Sequence, residues 1–167
     1  MALTQQLARV PPAYLDRCRE TAASAADGDP GWDPPTQDTV DLGWAIWELL
    51  GFYRRVRPDS PHIGVLDRSI RGDRDPGVPY LDHPEVYDGI DAPPALLMPP
   101  AVAEVARALA GMEIDSLLGQ LPAYRRAGGF AGFTSDPAPY LSEHFATLRS
   151  FYDVAALKGM AVVVWVD

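Results

Sequence analysis

The closing stretch Tyr140–Asp167, YLSEHFATLRSFYDVAALKGMAVVVWVD, decides how this chain folds. Leu141, Phe145, Leu148, Tyr152 and Ala155 recur at steps of three and four, which places them on one face of an α-helix. A helix of about 18 residues is a rod of roughly 27 Å. Gly159 stands where a left-handed C-terminal cap belongs, since glycine has no Cβ to clash there. MAVVVWVD is then apolar on both alternating faces, the pattern of a central strand covered on both sides. The expected fold is α+β. It is a single compact domain over residues 1–167, with a small mixed sheet whose N- and C-terminal strands are flanked by about four to five helices.

Working outward, ALLMPPAVAEVARALAG reads as a strand, Ala95 to Met98, feeding a helix opened by Pro99 and Pro100 and ended near Gly111. Val102, Val105, Ala106 and Leu109 form its core face, with Glu104 and Arg107 toward water. DTVDLGWAIWELLGFYRRV reads as one helix capped by Asp38 or Thr39. Its stripe of Val40, Trp44, Trp47 and Leu50, widened by Ile46, Leu49 and Tyr53, predicts burial around much of the circumference. MALTQQLARV reads as a short strand, with Leu3 and Leu7 on one side and Ala2 and Ala8 on the other. Gln5 and Gln6 add nothing specific to a sheet. Pro11 and Pro12 open a helix that carries Leu15, Cys18 and Ala22 on one face.

Residues 58–95 hold much of the proline and little periodicity. PHIGVLD reads as a short strand or turn, and RGDRDPGVPYLDHPEVYDGIDAPP as a long irregular loop, a kind that is often functional when ordered. Asp115 is placed to cap a short helix through Leu121, and YRRAGGFAGFTSDPAP reads as loop. No internal repeat or linker divides the chain.

The order of these elements resembles the YfbM-like family, bacterial proteins carried as a domain of unknown function. The likeness rests on an N-terminal strand and helix, on DLGWAIWELLG, on GVLDRSI, on the strand-to-helix unit ALLMPPAVAEVARAL, and on the closing LRSFYDVAALKGMAVVVWVD. The last is the most specific, aligning a helix, an aromatic pair, a small-residue pair, a glycine and a strand. The resemblance implies a mixed α/β fold and no established activity.

Composition narrows the function classes. A chain of 167 residues, 47% of them hydrophobic, can bury a real core. Its net charge of -9 argues against a nucleic-acid partner, because a phosphate backbone rewards clustered Lys and Arg. The basic run Arg54 to Arg57, with Arg68, Arg71 and Arg74 further on, reads as a solvated helix end followed by a loop, since cations at a helix C-terminus offset the macrodipole. The alternative is a site for an anionic ligand. A single cysteine, Cys18, permits no intrachain disulfide and reads as a small buried hydrophobe. No apolar run approaches a membrane span, and the N-terminus has no signal-peptide pattern, so no membrane association and a cytoplasmic location are expected.

The histidines His62, His83 and His144 lie in three different segments without metal-ligand spacing, so no metal is expected, and no cofactor. The most chemical-looking window is YLDHPEVYDGID, with Asp82, His83, Glu85, Tyr87, Asp88 and Asp91. Dense carboxylates around a histidine can hold a cation or move protons, and equally form a solvated loop. His144 is expected as a half-buried, hydrogen-bonded packing residue, or as a general base if folding supplies a partner. There is no nucleophile elbow, no phosphate-binding loop and no Cys-x-x-Cys.

Candidate ligand-binding residues are therefore Trp44, Trp47, His83, His144 and Tyr152; no catalytic residue is nominated. The leading functional reading is a non-catalytic binding or protein-interaction module, immunity-like or regulatory. The alternative is a cofactor-free small-molecule binder or enzyme, with an apolar Trp-lined pocket bearing His and carboxylate acid–base groups. The partner is thus a protein or a small molecule, and the oligomeric state is not encoded in any motif.

Overall fold

A computed structural model describes residues 3–75, 77–90 and 92–167. Its strands are β1 (Gln5–Val10), β2 (Thr39–Asp41), β3 (Ala95–Leu97) and β4 (Ala161–Val166), hydrogen-bonded in the order β2-β1-β4-β3. Every pairing is antiparallel, in register Leu7↔Val40, Leu7↔Val164 and Ala95↔Val164, where a mixed sheet was expected. Between β3 and β4 the chain runs through the two long helices α4 (Pro99–Ala110) and α7 (Ala138–Leu157).

The closing segment behaves as its pattern requires. The helix α7 buries Leu141, Phe145, Leu148, Tyr152 and Ala155, Gly159 turns at φ 62°, and all six residues of β4 are buried. Val162 and Val164 enter a core shared with Leu7, Leu97 and residues of α2 (Ala45–Val56), α3 (His62–Arg71), α4 and α7, joined by Leu117 and Leu121 from the two short helices that follow α4. Ala161, Val163 and Trp165 face the other way. They pack with Ala8, Val10 and Leu96 beneath helix α1 (Pro12–Ser24) and the segment carrying Val78, Leu81, Val86 and Tyr87. The sheet is therefore covered twice, by a thick helical layer and by a thinner layer of one helix and loops. The fold is α+β, as expected. Ala2 lies outside the described residues.

Three local expectations are corrected. First, the helix expected from Asp38 begins only at Ala45, and residues 39–41 form the edge strand β2. Asp38 instead pairs with Arg9 at 2.8 Å, and Asp41 accepts the Gly43 N–H at 2.7 Å, which turns the chain away from the strand. Second, PHIGVLD is neither strand nor turn: it opens α3, whose Leu66 and Ile70 are buried four residues apart. Third, the expected single helix through Leu121 is two, α5 (Asp115–Leu118) and α6 (Leu121–Arg126), and Asp115 makes no side-chain cap.

One glycine determines how α3 meets the sheet. Gly72 ends the helix at φ 65° and ψ -171°, a region essentially closed to other residues. A Cβ there would lie 3.0 Å from that of Ala95 and 3.1 Å from the Leu96 nitrogen. This approach lets the Asp73 N–H donate to the Leu96 carbonyl at 3.0 Å, so the chain leaving α3 lies along β3.

Candidate functional site

The tryptophan pair nominated from the sequence does come together. Trp44 and Trp47 stack with centroids 5.1 Å apart and planes 15° from parallel. The second face of Trp47 is covered by the Arg71 guanidinium, 4.4 Å from its centroid. Its indole Nε1–H donates to the Gln5 side-chain carbonyl at 2.9 Å. Gln5 is wholly buried on β1, and its amide nitrogen donates to the Trp165 carbonyl at 2.9 Å. Gln5 is thus specific to this sheet, contrary to the sequence reading, since it ties α2 to the central strand. With both faces occupied, Trp47 is the middle layer of a Trp–Trp–Arg stack rather than an open shelf.

That stack borders a groove of about 430 Å³ at the sheet edge, within the usual range for ligand sites. Trp47, Ile70, Arg71 and Arg74 line one side, with Pro93, Pro94, Val164, Trp165 and Val166 also in its wall. Asp67 accepts from Arg71 Nε at 3.0 Å and from Arg54 at 3.0 Å, while Asp73 takes a two-pronged bond from Arg68 at 2.8 and 2.9 Å. Arg68 is held further by Glu104 at 2.9 Å, and its guanidinium is pushed up by the Asp73 bond first and the Glu104 bond second. Arg54 and Arg55 lie in the last turn of α2, as expected of a helix end, but Arg68 and Arg71, expected in a loop, form the last turn of α3, and Arg71 also lines the groove.

The other three candidates lie apart from it. His83 belongs to the loop on the opposite sheet face, where its Nδ1 accepts the Glu85 N–H at 3.2 Å. Nearby, Tyr87 donates to Asp82 at 2.7 Å, which with burial pushes its phenol up to about 12. Asp91, in the same acidic window, lies outside the described residues. His144 is half-buried on α7: its Nδ1–H donates to the Tyr140 carbonyl at 2.8 Å, and its ring lies 4.4 Å from the Tyr140 ring. Tyr140 in turn accepts the Trp44 N–H at 3.2 Å, so His144 reaches the tryptophan pair only through a backbone contact.

Tyr152 is fully enclosed by core side chains, and its hydroxyl donates to the Ser69 carbonyl at 2.7 Å. Burial, with some help from Asp73, pushes this phenol far above its ordinary range. The unfolded chain releases the proton near pH 10 while the folded chain keeps it, so stability is intact below pH 10 and falls as pH rises above it. Between about pH 10.5 and 12, wild type is expected to lose about 1.4 kcal/mol per pH unit more than Tyr152→Phe. Urea unfolding at several pH values measures this; parallel slopes for the two proteins would refute it.

Among the described residues no three His, Cys, Asp or Glu side chains converge on a point that could hold a metal ion. Cys18 is buried and its thiol pushed up by desolvation, the opposite of an activated nucleophile. Glu48 is half-buried, and desolvation raises its carboxyl. No described helix is long and apolar enough to cross a membrane.

Charge is distributed unevenly between the two layers. Among the described residues, segments 11–35 and 75–90 of the thin layer hold nine acidic residues against two arginines, or -7 of the chain's -9. Glu20, Asp33, Asp75, Glu85 and Asp88 are exposed there, and so is Ile90, at 61%. The rest of the chain, including the helical layer, is close to neutral. Sequence reasoning noted the total charge but not its placement, since the two acidic segments are far apart in the chain and meet only in the fold, where α1 packs on residues 78–81.

These features define an α+β protein with a doubly covered antiparallel sheet, an edge groove and one acidic face. No protein-family model matches the chain, and no curated protein matches it. Among solved structures it is similar to YfbM from Escherichia coli, described as a protein of unknown function. The two share 14% identity over 98% of this chain and 99% of that one, with a TM-score of 0.56. At that identity the likeness is one of fold, and the chain has a YfbM-like fold.

Proposed function

We propose that this protein is a non-catalytic interaction module that captures a basic protein partner on its acidic layer. The observation that carries the reading is the segregation of charge: the described residues of the thin layer bear -7 of the total -9. A field of one sign steers an oppositely charged partner and raises its association rate by about 10- to 1,000-fold at low salt. Ile90, exposed and donating its N–H to Asp88 at 3.1 Å, supplies an apolar contact of the kind that anchors an interface once the charges have brought the partners together. An immunity-like or regulatory role in the cytoplasm fits such capture.

The test uses charge reversal on both layers. In one variant Glu20, Asp33, Asp75 and Glu85 become lysine; in the control Glu113, Asp115, Glu143 and Asp153 do. All eight are exposed, and none of their carboxylates makes a hydrogen bond, so both variants change net charge equally without breaking a side-chain contact. For the partner recovered on immobilised wild-type protein, the association rate is expected to fall by about tenfold or more in the first variant, and with added salt. The control is expected to stay within about twofold. Equal losses in the two variants, or a rate indifferent to salt, would overturn the acidic face as the docking surface.

A further inference from the structure

The edge groove contains a feature the acidic layer does not explain. Thr4 and Asp167 exchange two main-chain hydrogen bonds, at 2.6 and 3.0 Å, and Gln5↔Val166 is the next pair along the ladder. Alternate residues of an antiparallel pair face opposite neighbours, so Val166 turns its N–H and C=O away from β1. On that side β3 stops at Ala95, opposite Val164. Continuing the register would set Pro93 against Val166, and proline has no N–H to give. No described residue outside the ladder makes a main-chain bond to Val166, although its residue is only 5% exposed. Val166 is also among the residues lining the groove, so this strand edge borders it.

The same groove holds a pre-oriented guanidinium. Arg71 is fixed from two directions, by the Trp47 ring beneath it and by Asp67 at its Nε. The two terminal NH₂ groups remain as a fork, the geometry that matches a carboxylate. Arg74 adds a second cation to the lining, Asp67 and Asp73 stand in it already engaged by Arg71 and Arg68, and Pro93 and Trp165 add apolar surface.

From this juxtaposition we propose that the groove binds the C-terminal residue of an extended peptide, with the carboxylate on Arg71 and the last amide across Val166. The peptide extends the sheet where β3 ends, and strand addition supplies affinity largely independent of side chains. Arg71 supplies the charge complementarity, and restricts the site to a chain end. The groove shares Gly77 and residues 92–94 with the chain that leads to the thin layer, but its binding rests on Arg71 and Val166 and not on the acidic side chains of that layer.

The experiment follows the ¹⁵N-labelled full chain while hexapeptides acetyl-Gly-Ser-Gly-Ser-X-Z are added, with X and Z each drawn from Val, Leu, Phe, Ser, Lys and Glu. At least one free-acid peptide is expected to shift the Val166 amide resonance at about 1 mM or below. Its C-terminal amide, and the Arg71→Lys variant, are each expected to bind about tenfold more weakly, because lysine keeps the charge but loses the fork. Arg71→Lys is accepted only if its melting temperature matches wild type; otherwise the amidated peptide on wild type decides. Three results would overturn the proposal: no Val166 shift with any peptide, affinity unchanged on amidation, or N-acetylvaline binding as tightly as the best hexapeptide. The last would mark a site for small N-acyl acids instead.

Discussion

Replacing Tyr152 by alanine is expected to lower the unfolding free energy by about 3–5 kcal/mol, and replacing it by phenylalanine by about 1–2 kcal/mol. The two substitutions remove different things. The last carbonyls of a helix have no intrahelical partner and need one from elsewhere. For Ser69, in the last turn of α3, the Tyr152 hydroxyl provides it across 83 positions of sequence, at 2.7 Å. Ser69 is itself fully buried, its own hydroxyl donating to the Leu66 carbonyl at 2.7 Å, so water cannot replace the missing donor. Phenylalanine keeps the ring packing and leaves that carbonyl unmet. Alanine also opens a cavity among α2, α3, α4 and α7. Urea unfolding of the three proteins gives the comparison. A phenylalanine variant within about 0.3 kcal/mol of wild type would show that the hydroxyl does not hold α3 to α7.

Tyr152 also illustrates which parts of the molecule could be read from sequence. Its place on the apolar face of α7 was legible from spacing alone, as were Gly159 and the central position of β4, because a helix face and a two-sided strand are local patterns. The same holds for α4, where Pro99 and Pro100 mark the start and Val102, Val105, Ala106 and Leu109 mark the buried face. The partner of the Tyr152 hydroxyl was not legible, since Ser69 comes from a helix whose apolar spacing is short and broken by Gly64. The strand β2 was missed for a similar reason. Three residues carry no period of their own, and Val40 fitted the helical stripe of Trp44 and Trp47 until pairing with Leu7 took it into the sheet. Of the candidate site, Trp47 was found by its residue type. Arg71 entered only within a basic run whose alternative reading was an anionic-ligand site, and Val166 read as core, because nothing local in the chain sets either beside the groove.

Replacing Gln5 by leucine is expected to cost about 1–3 kcal/mol, more than its apolar gain returns. A leucine fits a buried strand position by hydrophobicity, which is why sequence reasoning treated this glutamine as uninformative. Yet the Gln5 side chain accepts from the Trp47 indole at 2.9 Å and donates to the Trp165 carbonyl at 2.9 Å. The Trp165 carbonyl faces the ladder bond to Gln6 as well, so the heavier loss falls on the indole N–H, a half-buried donor left without an acceptor. Removing both partners is cheaper than removing one, so the double variant Gln5→Leu/Trp47→Phe is expected to be more stable than the two single effects predict, by about 1 kcal/mol. Additive losses in urea unfolding would place the stability of this corner in packing and not in the hydrogen bond. The same cycle bears on the groove, because the Gln5 bond holds the ring on which Arg71 lies. An indole released from Gln5 no longer fixes the height of the guanidinium above β4, so Gln5→Leu is expected to weaken free-acid peptides by about threefold or more while leaving their amides unchanged.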